Sequence, residues 1–481
     1  MILNEVERKG KATLILVFIL VILTDVYFLM SSYNEIIAND TLWHIKSGEW
    51  MIKNKAIIKK DVFSWTARGI KWTAHSWLYD IIIYVLYKYS SFAGPIIFTL
   101  ILGAIYGYLL IVNHSNNFYM LITSYINYII VLKYLWTIRP HTVAGVLFIF
   151  LLYILTEGKL KDGSCIKGIL IFVYFVLWAN MHSSVSIGIF VITIYVIFCK
   201  ADWKHLIFSI IGTVITPQFT GIFRYSYAAS SNADIINNIN EWHSPDFHNI
   251  LFIYIAVTSI INLIIKAKED SKITEAEIIM TANLLLFLKS LRHMLMLVPV
   301  ISMYSVDITR TFAIINKDNL IMIKRYSPLI TMVIMITMLL TMILGCNANQ
   351  VITNIITGDI LSQQTEAKVA QYILENKLTE NIFNDYLLGD YFLWYGIPVF
   401  IDSRADMYIF NKKEIWDDFM ALRNITTAEP EKIIEKHNIK TVAIDKKTRL
   451  SLYMQKLAVE GKAKYIAKIG NYDIFKIEVN K

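Results

Sequence analysis

Residues 12–30 read ATLILVFILVILTDVYFLM, an apolar run long enough to cross a bilayer as one helix. Arg8, Lys9 and Lys11 precede it and no small-residue cleavage site follows, so it reads as an anchor helix with a cytoplasmic N-terminus. Further apolar runs recur at roughly 76–90, 94–112, 141–156, 167–181, 184–199, 205–219, 249–266, 274–289, 293–308 and 326–345. The stretch 117–134 is apolar but dotted with Ser124, Asn127 and tyrosines, and reads as a membrane-dipping or re-entrant element covered by protein or a wet cavity.

Composition agrees with this pattern. The 481 residues are 56% hydrophobic and 17% charged, where soluble domains carry about a quarter charged residues. The expected fold class is a polytopic α-helical membrane protein with about 11 transmembrane helices. The net charge of +8 comes from basic residues scattered between apolar blocks, which points to cytoplasmic loops and argues against nucleic acid as a partner. Lys159, Lys161, Lys200, Lys204, Lys266 and Lys268 fall in loops of cytoplasmic parity, whereas the loops near 113–117 and 181–184 have no Lys or Arg. Loop 31–75 breaks the rule, being basic on the outer side. Cys165, Cys199 and Cys346 form no paired or metal-binding spacing.

After the last apolar run the composition changes. Residues 347–481 alternate short β-like runs (381–384, 398–402, 441–445, 465–469, 473–478) with helical patterns (365–376, 412–423, 430–437, 447–460), which predicts a small α/β domain, extracytoplasmic by parity. The expected domains are therefore 1–346, a transmembrane domain carrying the extracytoplasmic loop 31–75, and 347–481. The expected location is the cell membrane, multi-pass.

The chemistry-bearing stretch is Ala38 to Leu78, a polar loop rich in tryptophan. Asp40 and His44 stand four residues apart, on one face if 40–53 is helical. Leu42, Ile45 and Ile52 fall away from that face, and Trp43 and Trp50 suit a membrane interface. Other ionisable or amide side chains cluster at the same side by parity: His75, Arg139 and His141 around Pro140, Asn180 and His182, Glu241 and His243, Arg292 and His293. Such groups near membrane depth usually face a cavity or a partner. Together they predict one layer holding carboxylates, imidazoles and two arginines. Each also has an ordinary reading: Asp40 as a first-turn acid, Arg139 snorkelling from a helix start, and His182 capping a tight turn. In the last domain Asp385, Asp402, Arg404 and Asp406 follow β-like runs, a common position for ligand contacts; an Asp402–Arg404 pair fixing the loop is the structural alternative.

Several ordered motifs carry a resemblance. They are Asp40-x-x-x-His44-x-x-x-Gly48-Glu49, Asp61-x-Phe63-Ser64, Trp72-x-x-His75-x-Trp77-Leu78, Arg139-Pro140 and Trp178-Ala179-Asn180-Met181-His182. Glu241-Trp242-x-Ser244-Pro245, Arg292-His293, Asn384-Asp385-Tyr386 and Asp402-x-Arg404-Ala405-Asp406 continue the series. In this order the chain resembles a group of bacterial polytopic membrane proteins similar in layout to the GT-C glycosyltransferases, such as protein mannosyltransferases. The resemblance implies a first-loop acid, matched by Asp40, a polyprenyl-phosphate-linked sugar donor, a glycan, lipid or protein acceptor, and often a soluble C-terminal domain. Relatives usually carry a second acid two residues earlier, where this chain has Ala38. No cofactor is assigned from these residues, and a divalent metal remains one option.

The expected reaction is inverting sugar transfer with Asp40 as general base, His44 orienting it, and Arg139, Arg292, His141 and His293 stabilising the departing phosphate. Two other classes stay open on the residues: a transporter or flippase of a lipid-linked or small polar substrate, and a non-catalytic partner in cell-surface polysaccharide assembly.

Overall fold

A computed structural model describes residues 2–31, 37, 39–72, 74–112, 118–269, 272–305, 353–354 and 360–478. The chain forms two compact units, one of residues 1–36 and 96–351 and the other of residues 37–95 and 352–481.

The first unit is helical. Its helices include Ile2–Ser31, Phe118–Leu135, Pro140–Thr156, Cys165–Met181, Val185–Ile197, Trp203–Val214, Ile250–Glu269, Glu275–Lys289 and Met294–Tyr304. Local sequence accounts for their starts: Pro140 occupies the first turn after Arg139, where a missing N–H costs nothing, and Thr274 with Glu277 forms a capping box. Phe148, Phe175, Trp178, Tyr195 and Met280 build the core. Outside that core, apolar stripes stay exposed at helical spacing: Ile97, Ile101 and Ile105; Ile166, Leu170, Val173 and Leu177; Ile253, Val257, Ile260 and Ile264.

Two helices among the described residues, Ala93–Val112 and Ile250–Lys268, are long and apolar enough to cross a membrane; seven more apolar helices are shorter. Length separates the rest from the expectation of about 11 spans, since a full crossing takes about 20 residues. The stretch 117–134 differs too: it runs as one unbroken helix, Phe118–Leu135, without the chain reversal of a re-entrant element. The expected span 326–345 lies outside the described residues.

The second unit joins the early loop to the C-terminal residues, so 37–95 does not group with the helical part as the sequence suggests. The helix Asn39–Asn54 packs on Trp77–Ser90, and Gly48 lets them close: a Cβ there would stand 2.0 Å from the Asp80 carbonyl oxygen. The described strands β1 (Ile382–Asn384), β2 (Thr441–Asp445), β3 (Ala463–Ile469) and β4 (Tyr472–Ile477) form one sheet in the order β1-β2-β4-β3. β1 pairs with β2 in parallel, and β4 runs antiparallel to both β2 and β3. The segment 398–402, expected as a strand, lies outside this sheet. The Asn384 side-chain amide takes the place of a neighbouring strand, accepting from Phe400 N and donating to Ile401 O, both at 2.8 Å. Val399 pairs instead with Ser64 of the early loop.

Candidate functional site

The early loop docks through hydrogen bonds onto the C-terminal residues. Trp65 N donates to Val399 O at 3.0 Å, Trp65 Nε1 to Ile382 O at 3.1 Å, and Thr66 Oγ1 to Phe400 O at 2.5 Å. Beneath them lies Arg404, 1% exposed. Its Nε and Nη2 donate to the two Asp402 oxygens at 2.9 and 2.5 Å, and its Nη1 stands 2.8 Å from Asp61 Oδ1. The guanidinium also lies over Phe63 and Trp72, 4.9 and 4.6 Å from the ring centroids. Tyr408 donates to Asp402 Oδ2 at 3.1 Å. Burial works against a charged Arg404, and the carboxylates of Asp402 and Asp61 more than restore it. Asp402 and Arg404 thus fix the loop, the structural alternative of the sequence reading.

Asp40 occupies the first turn of Asn39–Asn54 and is half-buried. His44, one turn on, is buried, and its Nδ1 lies 2.6 Å from Asp80 Oδ1. Its ring stacks on Trp43 at 3.6 Å, and Trp43, itself buried, meets Trp72 edge-on. Trp43 therefore packs inside the unit, whatever its fitness for an interface. His75 is half-buried in the turn before Trp77–Ser90. Asp385 caps the helix Tyr386–Trp394 by accepting from Leu387 N and also meets Arg423 Nε at 3.3 Å. Asp406 lies half-buried in the first turn of Ala405–Asn411.

Asp390 is the carboxyl that sequence reasoning passed over. It is fully buried, and burial followed by the negative charges of Asp40 and Asp402 pushes it well above the usual carboxylate range. Asp80 was also missed. The available signal was an acid inside an otherwise apolar run, which needs a polar partner.

In the first unit, Arg139 and Arg292 converge on one carboxylate. Arg139 Nη1 donates to Glu241 Oε2 at 2.7 Å, and Arg292 Nη1 lies 3.6 Å from Oε1. The Arg292 guanidinium stacks 4.4 Å from the Trp242 ring centroid. Burial opposes ionisation of Glu241, but the two guanidinium charges outweigh it and bring it down to about 2. The short turns Asn240–Trp242 and Leu291–His293 are tied together by Leu291 N donating to His243 O at 2.9 Å. His243 is exposed, and the His293 ring stands 6.3 Å from Trp242. His141 Nε2 meets the Leu135 carbonyl at 2.6 Å. Asn180 donates to Val176 O and Ile215 O, and His182 Nδ1 accepts from Ser184 N at 3.1 Å. These contacts of Asn180 and His182 hold backbone, in keeping with a turn-capping role.

Each unit thus carries its own polar group: Asp40, His44, Asp80, Asp390 and the Arg404 knot in one, Arg139, Glu241 and Arg292 in the other. Among the described residues no three His, Cys, Asp or Glu side chains converge as a metal-ion site. No known family model matches the chain, and no curated protein is significantly similar to it.

Proposed function

We propose that the protein is a membrane-embedded glycosyltransferase of GT-C layout that moves a sugar from a polyprenyl-phosphate-linked donor to an extracytoplasmic acceptor. The observation that carries this reading is the arginine pair on Glu241. Two guanidiniums meet at one carboxylate, a concentration of charged hydrogen-bond donors of the kind that recognises phosphate. The exposed apolar stripes of the helical unit support a bilayer setting, because unpartnered apolar surface of that extent needs a cover. In this reading the N-terminus is cytoplasmic, and the early loop up to residue 75 and the C-terminal residues 352–481 are extracytoplasmic.

Asp40 accepts the proton of an acceptor hydroxyl or amine as that atom attacks the anomeric carbon. The bond from that carbon to the phosphate oxygen breaks, the electron pair leaves with the phosphate, and configuration inverts. Within the helical unit, the Arg139–Arg292 pair is a separate candidate for holding a phosphate. The two roles fall in separate units, and each is tested on its own.

Purified protein in lipid vesicles, given labelled polyprenyl-phosphate sugars, should transfer label to an acceptor. Asp40→Asn should slow transfer by at least about a hundredfold, the usual scale of a lost general base; Arg139→Ala should raise KM for the donor. Full activity of the Asp40 variant removes its role, and absence of transfer with every donor overturns the reading. A carrier is the second reading, favoured by one observation: Asp25, 4% exposed in the apolar helix Ile2–Ser31, accepts from Tyr128 OH at 2.5 Å. Translocation without turnover would select it.

A further inference from the structure

We infer that Asp80 is a positioning residue that holds the His44 imidazole with a hydrogen on Nε2, so that His44 serves as a hydrogen-bond donor and leaves proton acceptance to Asp40. The inference rests on the proposed transferase only for the task of Asp40; the hydrogen on the ring is measured without turnover. Its basis is the contact of His44 Nδ1 with Asp80 Oδ1 at 2.6 Å, made between the helices Asn39–Asn54 and Trp77–Ser90 by side chains 3% and 1% exposed.

The sequence builds this contact from a glycine. Gly48 stands one turn after His44, and the Asp80 carbonyl oxygen and Tyr84 Cβ lie 2.0 and 2.6 Å from where its Cβ would be. That close crossing brings the Asp80 side chain to the imidazole. Two aromatic neighbours then fix the ring. Trp43 lies against it with centroids 3.6 Å apart and planes tilted by 30°, and Tyr79 meets it edge-on at 5.3 Å. Both are buried, so the imidazole cannot turn over and exchange its nitrogens without displacing packed side chains.

The bond made by one ring nitrogen decides the state of the other. At 2.6 Å, Nδ1 and Oδ1 hold one hydrogen between them. Two proton counts fit that contact. With no further proton the carboxylate is ionised, the ring is neutral and Nε2 is bare, so the pair carries a full negative charge. With one more proton, on Nε2, the pair is neutral overall, either as carboxylic acid and imidazole or as carboxylate and imidazolium. Asp80 Oδ2 has no hydrogen-bond partner among the described residues, and His44 is its one ion-pair partner there. An uncompensated charge so placed carries a large desolvation cost, which the neutral pair avoids. The second count therefore holds, and Nε2 carries hydrogen. A nitrogen so occupied donates and takes up no proton. Asp40, half-buried one turn earlier on the same helix, is the group left to accept one.

The test uses the full chain in lipid nanodiscs, with its histidines labelled with nitrogen-15 and the His44 signal identified by its loss in His44→Gln. Magnetic resonance spectra of wild type should show hydrogen on His44 Nε2 as the single form, together with a strongly deshielded proton at the contact with Asp80. Asp80→Leu keeps the shape of the side chain and removes its oxygens. It should lose the deshielded proton and bring in a second population with hydrogen on Nδ1 and a bare Nε2. A bare Nε2 in wild type would overturn the inference, and so would a single unchanged form in Asp80→Leu. If Asp80→Leu does not fold, the wild-type spectrum decides by itself. Where wild type transfers sugar, Asp80→Leu should lower kcat and leave KM for the donor unchanged; an equal kcat would overturn the positioning role. Lack of transfer by wild type would remove the reaction and leave the spectra unaffected.

Discussion

His44 and Asp80 are joined across two helices, Nδ1 to Oδ1 at 2.6 Å, with both side chains buried. The histidine foreseen as the orienter of Asp40 has one ring nitrogen committed elsewhere. Asp80→Ala leaves that nitrogen without its acceptor in a dry setting and should lower stability by about 3 kcal/mol. Denaturant unfolding of the purified protein measures it; a loss below about 0.5 kcal/mol would mean the pair is dispensable.

Arg404 should tolerate no substitution. Removing the guanidinium strands Asp61 and Asp402 in the interior, a change that typically costs about 3–5 kcal/mol. Arg404→Lys should not rescue it, because one ammonium cannot reproduce the fork on Asp402 and the contact to Asp61 together. Faster hydrogen exchange at residues 61–67 in both variants is the expected signature. Protection equal to wild type in Arg404→Lys would show that charge alone suffices.

Glu241 sets an acid limit on the helical unit. Its carboxyl titrates near 2 in the folded chain against an ordinary 4.5. With the folded value depressed, its contribution is present above 4.5 and is lost as pH falls from there towards 2, on the order of 3 kcal/mol in all. Glu241→Gln should flatten the stability profile across that window. An unchanged acid profile in the variant would refute the clamp.

Gly48 is a steric requirement. A methyl group there meets the Asp80 carbonyl, a backbone atom that cannot rotate away. Gly48→Ala should therefore separate the two helices and cost about 1–3 kcal/mol despite the better helix propensity of alanine. A thermal midpoint at or above that of wild type would contradict the close approach.

Much of the secondary structure was legible. The helices 140–156 and 165–181 and the strands at 382–384 and 441–445 follow from apolar periodicity, Pro140 and short β-branched runs, all of which are local signals. The helices Tyr386–Trp394 and Ala405–Asn411 were missed, because their residues read equally as loop or strand and burial within the unit decides them. The segment 398–402 was misread for the complementary reason: Val399-Phe400-Ile401 has strand composition, but its partners are an asparagine side chain and Ser64.

By itself the sequence determined the helical class, the small C-terminal sheet and the residue types that could carry chemistry, since composition and period are properties of neighbouring residues. Only the tertiary structure decided which of those groups meet. His44 finds its carboxylate 36 positions away and Thr66 its carbonyl 334 positions away. Glu241 is held by arginines from two other segments. Such pairings depend on burial and on where the chain returns, and no local pattern of residues encodes them.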